Sequence, residues 1–207
     1  MPHTEVDLIL ANGTSVGFDY HLRNGDYLSV YPVFEGLNIS NVVKLRSEPL
    51  RKGAFICDVH LGKCARMLRL LGFDTLYRND YDDLMIISIA ASRKRIILTR
   101  DRQLLHAGVV THGYWIRSQQ PEEQVQEVLD RFDLRGQIKP FRRCTVCNGL
   151  IHAVAKQEVL HLLEPKTKKY YFDFYRCDSC GKIYWEGSHL SRMQSLVDRL
   201  SKKDCYE

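Results

Sequence analysis

No stretch of this 207-residue chain approaches the ~18 consecutive apolar residues that a membrane-spanning helix needs. No basic segment opens it either. MPHTEVDLIL carries Glu5 and Asp7 where a secretion signal carries lysine or arginine. The expected address is the cytoplasm, with no membrane partner. No internal repeat and no low-complexity tract interrupts the chain. A disulfide framework is missing too. Seven cysteines is an odd number, and four of them form two CxxC pairs, which fits metal binding in a reducing compartment. Of the rest, Cys57 and Cys64 lie in apolar surroundings and are expected to be buried, and Cys205 is left over.

What is present is ordinary for a globular protein: 44% hydrophobic and 27% charged residues, in a chain long enough for one or two domains. The net charge of +5 is unevenly spread. Residues 51–120 hold 12 basic and 6 acidic side chains, and residues 136–207 hold 13 and 8, whereas residues 1–50 and 121–135 are acidic on balance. The two basic blocks are where a polyanion would bind. Their bland reading is solvated surface.

Three segments read differently. Residues 1–50 form a small β-rich unit: TEVDLILANGTSVGFDYHL alternates around Asn12-Gly13, a hairpin turn signature, and NGDYLSVYPVF supplies a further strand. Residues 54–135 alternate strand and helix. Strands are expected at 54–57, 73–77, 95–99, 109–110 and 114–116. Helices are expected at 61–71, ending at Gly72, at 82–95, capped by Asp82, at 101–107, and from Pro121. Leu84, Ile87 and Ala91 are the expected core positions of the second helix. This pattern predicts an α/β fold with a doubly wound parallel sheet. After the linker RGQIKPF, residues 140–207 hold the paired cysteines and an amphipathic helix with Leu190, Met193, Leu196, Val197 and Leu200 on one side.

CTVC (Cys144, Cys147) and CDSC (Cys177, Cys180) supply four soft ligands on two turns, with YYFDFY between them as a strand. That spacing predicts a zinc ribbon with structural Zn²⁺, an iron–sulfur cluster being the competing occupant. Four cysteinates leave no open coordination position, so this metal holds a fold rather than doing catalysis. A ribbon serves either nucleic-acid or protein contacts.

Carboxylates carry the second signal. In an open parallel sheet, ligands bind beyond the carboxyl ends of the strands. Asp58 follows the first strand, Asp101 follows the third, and Asp80, Asp82 and Asp83 lie after the second. Any one of them is more often a helix cap than a ligand, and Asp82 is expected to be only a cap. Converging carboxylates repel unless protonated or metal-bound, and hard oxygen ligands suit Mg²⁺ or Mn²⁺. Such a site can activate water against a phosphodiester. Lys63, Arg66 and Arg69 beside the first acid, and Arg100 and Arg102 around the third, can hold phosphates.

FICDVHLGKCARMLRLLGFDTLYRNDYDD, RIILTRDRQLL and CGKIYWEGSH together resemble the PIN-like RNase domain of the Mut-seven C-terminal family and its zinc ribbon, over roughly residues 54–200. PHTEVDLILANGTSVGFDYHLRNGDYLSVYPVFE resembles the second half of a ubiquitin-like β-grasp domain, the partial module of one subfamily. The resemblance implies a PIN-like fold, a metal-dependent ribonuclease, catalytic Asp58, Asp83 and Asp101, and a homodimer as the usual association. Two departures stand out. The family pattern D-D-E-E-L-L reads here Asp82-Asp83-Leu84-Met85-Ile86-Ile87, without either glutamate. The β-grasp also lacks its opening hairpin and helix, which would expose a sheet edge to a protein partner. With no free Gly-Gly end past Gly36, sulfur transfer is rejected.

The leading expectation is thus a ribonuclease. Asp58, Asp83 and Asp101 would hold Mg²⁺ or Mn²⁺, with Asp80 as a further candidate, and Lys63, Arg66, Arg100 and Arg102 would contact RNA. The alternative is a non-catalytic RNA-binding or adaptor protein, which the missing glutamates favour. A toxin-like PIN protein is a weaker third reading, because the two added segments make the chain longer than a minimal toxin. Trp115 is expected in the core, and neither it nor His112 and His189 is assigned to catalysis.

Overall fold

Asn12 and Gly13 take φ of 52° and 79° in a computed structural model of the chain. Two successive positive φ values make the tight turn whose twist suits a hairpin. Strand β1 (Val6–Ala11) accordingly returns as β2 (Thr14–Val16), and β3 (Leu28–Pro32) pairs on the other side of β1. Every residue of β3 is exposed. The structure describes residues 3–32, 42, 44, 45 and 53–202, apart from the side chains at 188 and 189. The end of the strand expected in NGDYLSVYPVF, Gly36 and Cys205 lie outside the described residues.

The central layer is a parallel sheet. Its elements run β4 (Ala54–Cys57), α1 (Gly62–Leu70), β5 (Asp74–Leu76), α2 (Asp83–Arg93), β6 (Ile96–Thr99), α3 (Arg102–His106), β7 (Gly113–Trp115) and α4 (Pro121–Arg131). The strand order is β5-β4-β6-β7, all parallel. Alternation along each strand feeds two cores. Phe55 and Cys57 of β4, with Ile96 and Leu98 of β6, pack with α1 and α4. Ile56 and Ile97 face the other way, onto Ile86 and Ala90 of α2 and Leu104 and Leu105 of α3. Strands buried on both faces are what continuous apolar runs such as RIILT encode.

Two local expectations are corrected. In α2 the buried residues are Ile86 and Ala90, while Leu84 and Ala91 are exposed and Ile87 is half-buried. An apolar helix surrounded by apolar neighbours has little period to read, so the face was misjudged. Val109 and Val110 form no strand. Val110 turns back through its N–H to the Ala107 carbonyl, and Val109 is exposed.

The C-terminal part holds a second antiparallel sheet. Here β8 (Ile151–Val154) leads through α5 (Lys156–Val159) and α6 (Pro165–Tyr170) to β9 (Phe174–Cys177) and β10 (Ile183–Trp185), in order β10-β9-β8. Only the end of YYFDFY is strand, because Tyr170 still belongs to α6. Helix α7 (Ser188–Ser201) leaves this sheet and packs Val197 and Leu200 into the core shared by α1 and α4. A glycine makes the crossing between layers. Gly72 has φ of 98°, and a Cβ there would collide with the Lys139 carbonyl oxygen. That close approach lets the Lys139 and Phe141 N–H groups reach the last carbonyls of α1, Leu71 and Leu70, at 2.9 Å each.

Both edges of the parallel sheet are capped by side chains from the flanking modules. At one edge the Thr75 N–H of β5 donates to Asn148 Oδ1 of the cysteine-bearing segment, 2.9 Å. At the other, the Trp115 N–H of β7 donates to Glu5 Oε1, 3.1 Å, from the turn before β1. An edge strand with free N–H groups is a template for aggregation, and each cap removes part of it.

Candidate active site

The parallel strands end together, and the acids lie at that end of the sheet. Asp58 follows β4 directly and is buried. Its Oδ2 accepts the Thr99 hydroxyl at 2.8 Å. Thr99, the fully buried last residue of β6, also takes the Asp101 N–H on its Oγ1, 2.8 Å. One threonine thus fixes two acids, one on each neighbouring strand. Asp101 Oδ1 accepts the Gln103 N–H at 2.7 Å and caps α3. Asp82 caps α2 through the Met85 N–H, 2.7 Å, as expected. Asp83, at the first position of α2, is exposed at the same end of the sheet.

Electrostatics ties the three acids together. Asp83 is raised above the usual carboxylate value, first by desolvation and then by the charges of Asp101, Asp58 and Asp82. Nearby like charges disfavour ionisation of the group and favour a proton or a cation on it. Asp80 is not part of this set. Its carboxylate is paired with the Arg78 guanidinium at 2.6 and 2.8 Å.

The expected basic residues divide. Lys63 and Arg66 are exposed on α1, and Arg100 and Arg102 are exposed on either side of Asp101. Arg69 is the correction, because it is buried. Its guanidinium donates to the Thr75 and Val146 carbonyls at 2.8 Å each and to Thr145 at 3.2 Å. Every third position on a nine-residue helix sweeps around it, so Arg69 lies under the cysteine-bearing loop instead of on the open face.

Sequence reasoning missed Thr99, and it expected Trp115 in the core, against which the ring does pack. Trp115 is half-buried at the open end of β7. Its indole N–H donates to the Arg100 carbonyl, 3.2 Å, and the Arg102 and Arg117 guanidiniums lie 5.0 and 5.1 Å from its ring. The only advance signal for Thr99 was its place in the LTRDR run. Away from the acids, at the opposite ends of β6 and β7, a cavity of about 450 Å³ opens beside Lys94, Arg95 and His112.

The four cysteines form the other site. Their sulfur atoms all lie within 4.8 Å of one another, with Cys144–Cys180 at 3.6 Å and Cys147–Cys177 at 3.4 Å. Four sulfurs placed ~2.3 Å from a tetrahedral ion are about 3.8 Å apart, so the set is of the size zinc needs. Burial alone would push the Cys144 thiol up, but hydrogen bonds from Tyr184 and from the Cys147 and Val146 N–H groups bring it to about 6. Burial pushes Cys147 up to about 12, and its neighbouring thiols add to this. The site can bind zinc.

The cysteine loop is wired to the sheet. Asn148, at φ of 73°, donates to Asp74 Oδ1 at 2.8 Å while capping β5. Asp74 also pairs with Arg95 at 2.7 Å and with Arg143 at 3.4 Å. Burial opposes ionisation of Asp74, yet Arg95, Asn148 and Arg143 hold its carboxyl below the usual range.

Among the described residues, no helix is long and apolar enough to cross a membrane. A family model described as Mut7-C RNAse domain matches residues 53–197, and one described as Mut7-C ubiquitin matches residues 1–38. No curated protein and no solved structure matches the chain significantly. The first model covers the sheet, the acids and the cysteine loop, and the second covers the exposed β-module before them. The chain therefore belongs to the Mut7-C RNAse domain family and carries that family's ubiquitin-like segment at its N-terminus.

Proposed function

We propose that the chain is a metal-dependent ribonuclease whose Asp58, Asp83 and Asp101 hold one Mg²⁺ or Mn²⁺. The placement of Asp58, Asp83 and Asp101 at one end of the parallel sheet, with Asp83 raised first by desolvation and then by the charges of Asp101, Asp58 and Asp82, carries the reading. One oxygen of Asp58 and one of Asp101 are held by hydrogen bonds, which fixes where the second oxygen of each stands. The donor set is all hard oxygen, which suits these ions. Such an ion polarises a phosphoryl oxygen and makes bound water a nucleophile near neutral pH. Thr99 orients Asp58. Lys63, Arg66, Arg100 and Arg102 hold phosphates around the acids. The cysteines hold zinc as a structural clip, and their free thiols suit a reducing, cytoplasmic setting.

One observation favours the non-catalytic RNA-binding reading. Leu84 and Met85, where the family pattern has glutamates, are both exposed beside Asp83. Cleavage of labelled RNA with Mn²⁺, Mg²⁺ or chelator decides between the two. The enzyme cuts only with metal, and Asp58→Ala abolishes cutting while RNA affinity persists. Binding without cutting by the unaltered protein sinks the enzyme and leaves the adaptor.

A further inference from the structure

Cations and aromatic rings alternate along the open end of β7. Arg102 lies 5.0 Å from the Trp115 ring, Arg117 lies 5.1 Å from the same ring and 5.3 Å from Tyr114, and Arg131 lies 5.9 Å from Tyr114. The strip starts at the acids, since Arg102 follows Asp101 in the chain and Thr99 pairs with Trp115 in register. Packing explains only part of it. Trp115 does rest on the core beneath α2 and α3, but that contact does not require two guanidiniums over its ring. Both cations also keep a solvent face: Arg102 is exposed, and the Arg117 side chain is 49% exposed.

Arg117 is held in place from several sides. It donates to the Tyr114 hydroxyl at 2.9 Å and the Trp115 carbonyl at 3.2 Å, and it pairs with Glu5 at 3.2 Å. Glu5 is buried and belongs to the ubiquitin-like segment. The segment thus reaches the nuclease face through one carboxylate, which also caps the Trp115 N–H.

We propose that Trp115, with Arg102 and Arg117, is a stacking platform for one unpaired base of a single-stranded RNA whose neighbouring phosphate lies at the acids. This deepens the ribonuclease reading and rests on it for the position of the phosphate. A guanidinium plane backed by an indole takes any base by stacking, and the other cation takes the adjoining phosphate. Bases inside a duplex are already stacked on one another, so the platform selects unpaired strands. Glu5 acts as a positioning residue for Arg117.

The chain has two tryptophans, so Trp185→Phe leaves Trp115 as the single indole reporter. Asp58→Asn in the same zinc-loaded protein stops cleavage during the titration. Oligouridylate should quench Trp115 emission saturably, and a blunt RNA duplex of equal length should not. In a second protein, Trp115→Leu should weaken oligouridylate binding by about 5- to 150-fold at an unchanged salt slope. Oligouridylate that binds without quenching, or a duplex that quenches as strongly, overturns the proposal whatever the leucine variant does. If the unaltered protein still cuts RNA, only the platform falls. If it neither binds nor cuts RNA, the ribonuclease reading falls with it.

Discussion

Asp83 shows what a carboxylate near like charges costs a fold. Its folded pKa lies above the ordinary carboxylate value because of desolvation and three nearby negative charges. Between the ordinary and the raised value, the folded state binds a proton that the unfolded state has released. Stability therefore falls as pH rises through that window, and the penalty is complete above it. In zinc-loaded protein kept free of Mg²⁺ and Mn²⁺, Asp83→Asn should raise the thermal midpoint slightly at neutral pH. That gain should vanish as pH falls below about 4, where Asp83 is protonated in both states. Scans of both proteins across this range check it. A variant less stable than its parent at neutral pH would remove the repulsion on which the site reading depends.

At the level of elements, the cysteine loop and β5 act as one unit. Arg69 ties the Thr145 and Val146 carbonyls to the Thr75 carbonyl, and Asn148 ties the same loop to the β5 edge and to Asp74. With zinc on the four thiolates, as proposed, its removal would release the loop that carries these bonds. Chelation should lower the thermal midpoint of the whole sheet layer, not only of β8–β10. Amide exchange at Thr75 should speed up in the same samples. Chelated protein in which Thr75 stays protected would separate the ribbon from the sheet.

These elements also show what the sequence could and could not convey. The Asn12-Gly13 turn, the strand–helix alternation, the strand-end acids and the paired cysteines are local signals, and each was legible. Arg69 was not, because a cation at helical spacing reads as solvent-facing until a distant loop is known to cover it. The buried face of α2 was blurred by its apolar composition. Thr99 was hidden by its ordinary chemistry: nothing local says that one hydroxyl will touch two acids from different strands.

For the whole molecule, one plan recurs at both sheet edges. The ubiquitin-like segment offers Glu5 to β7, and the cysteine loop offers Asn148 to β5, each one side-chain oxygen to one edge N–H. The appended modules thus close the sheet that carries the acids, and α7 locks the arrangement by returning Val197 and Leu200 to the core. The central claim is that this closed sheet presents one divalent-cation site built from Asp58, Asp83 and Asp101. The most direct test is a Mn²⁺ titration followed by electron paramagnetic resonance, on zinc-loaded protein without RNA, beside an Asp58→Asn/Asp101→Asn variant. The account predicts one Mn²⁺ per chain in the parent and a loss of at least about 10-fold in affinity in the variant. Equal Mn²⁺ binding by both proteins would contradict it.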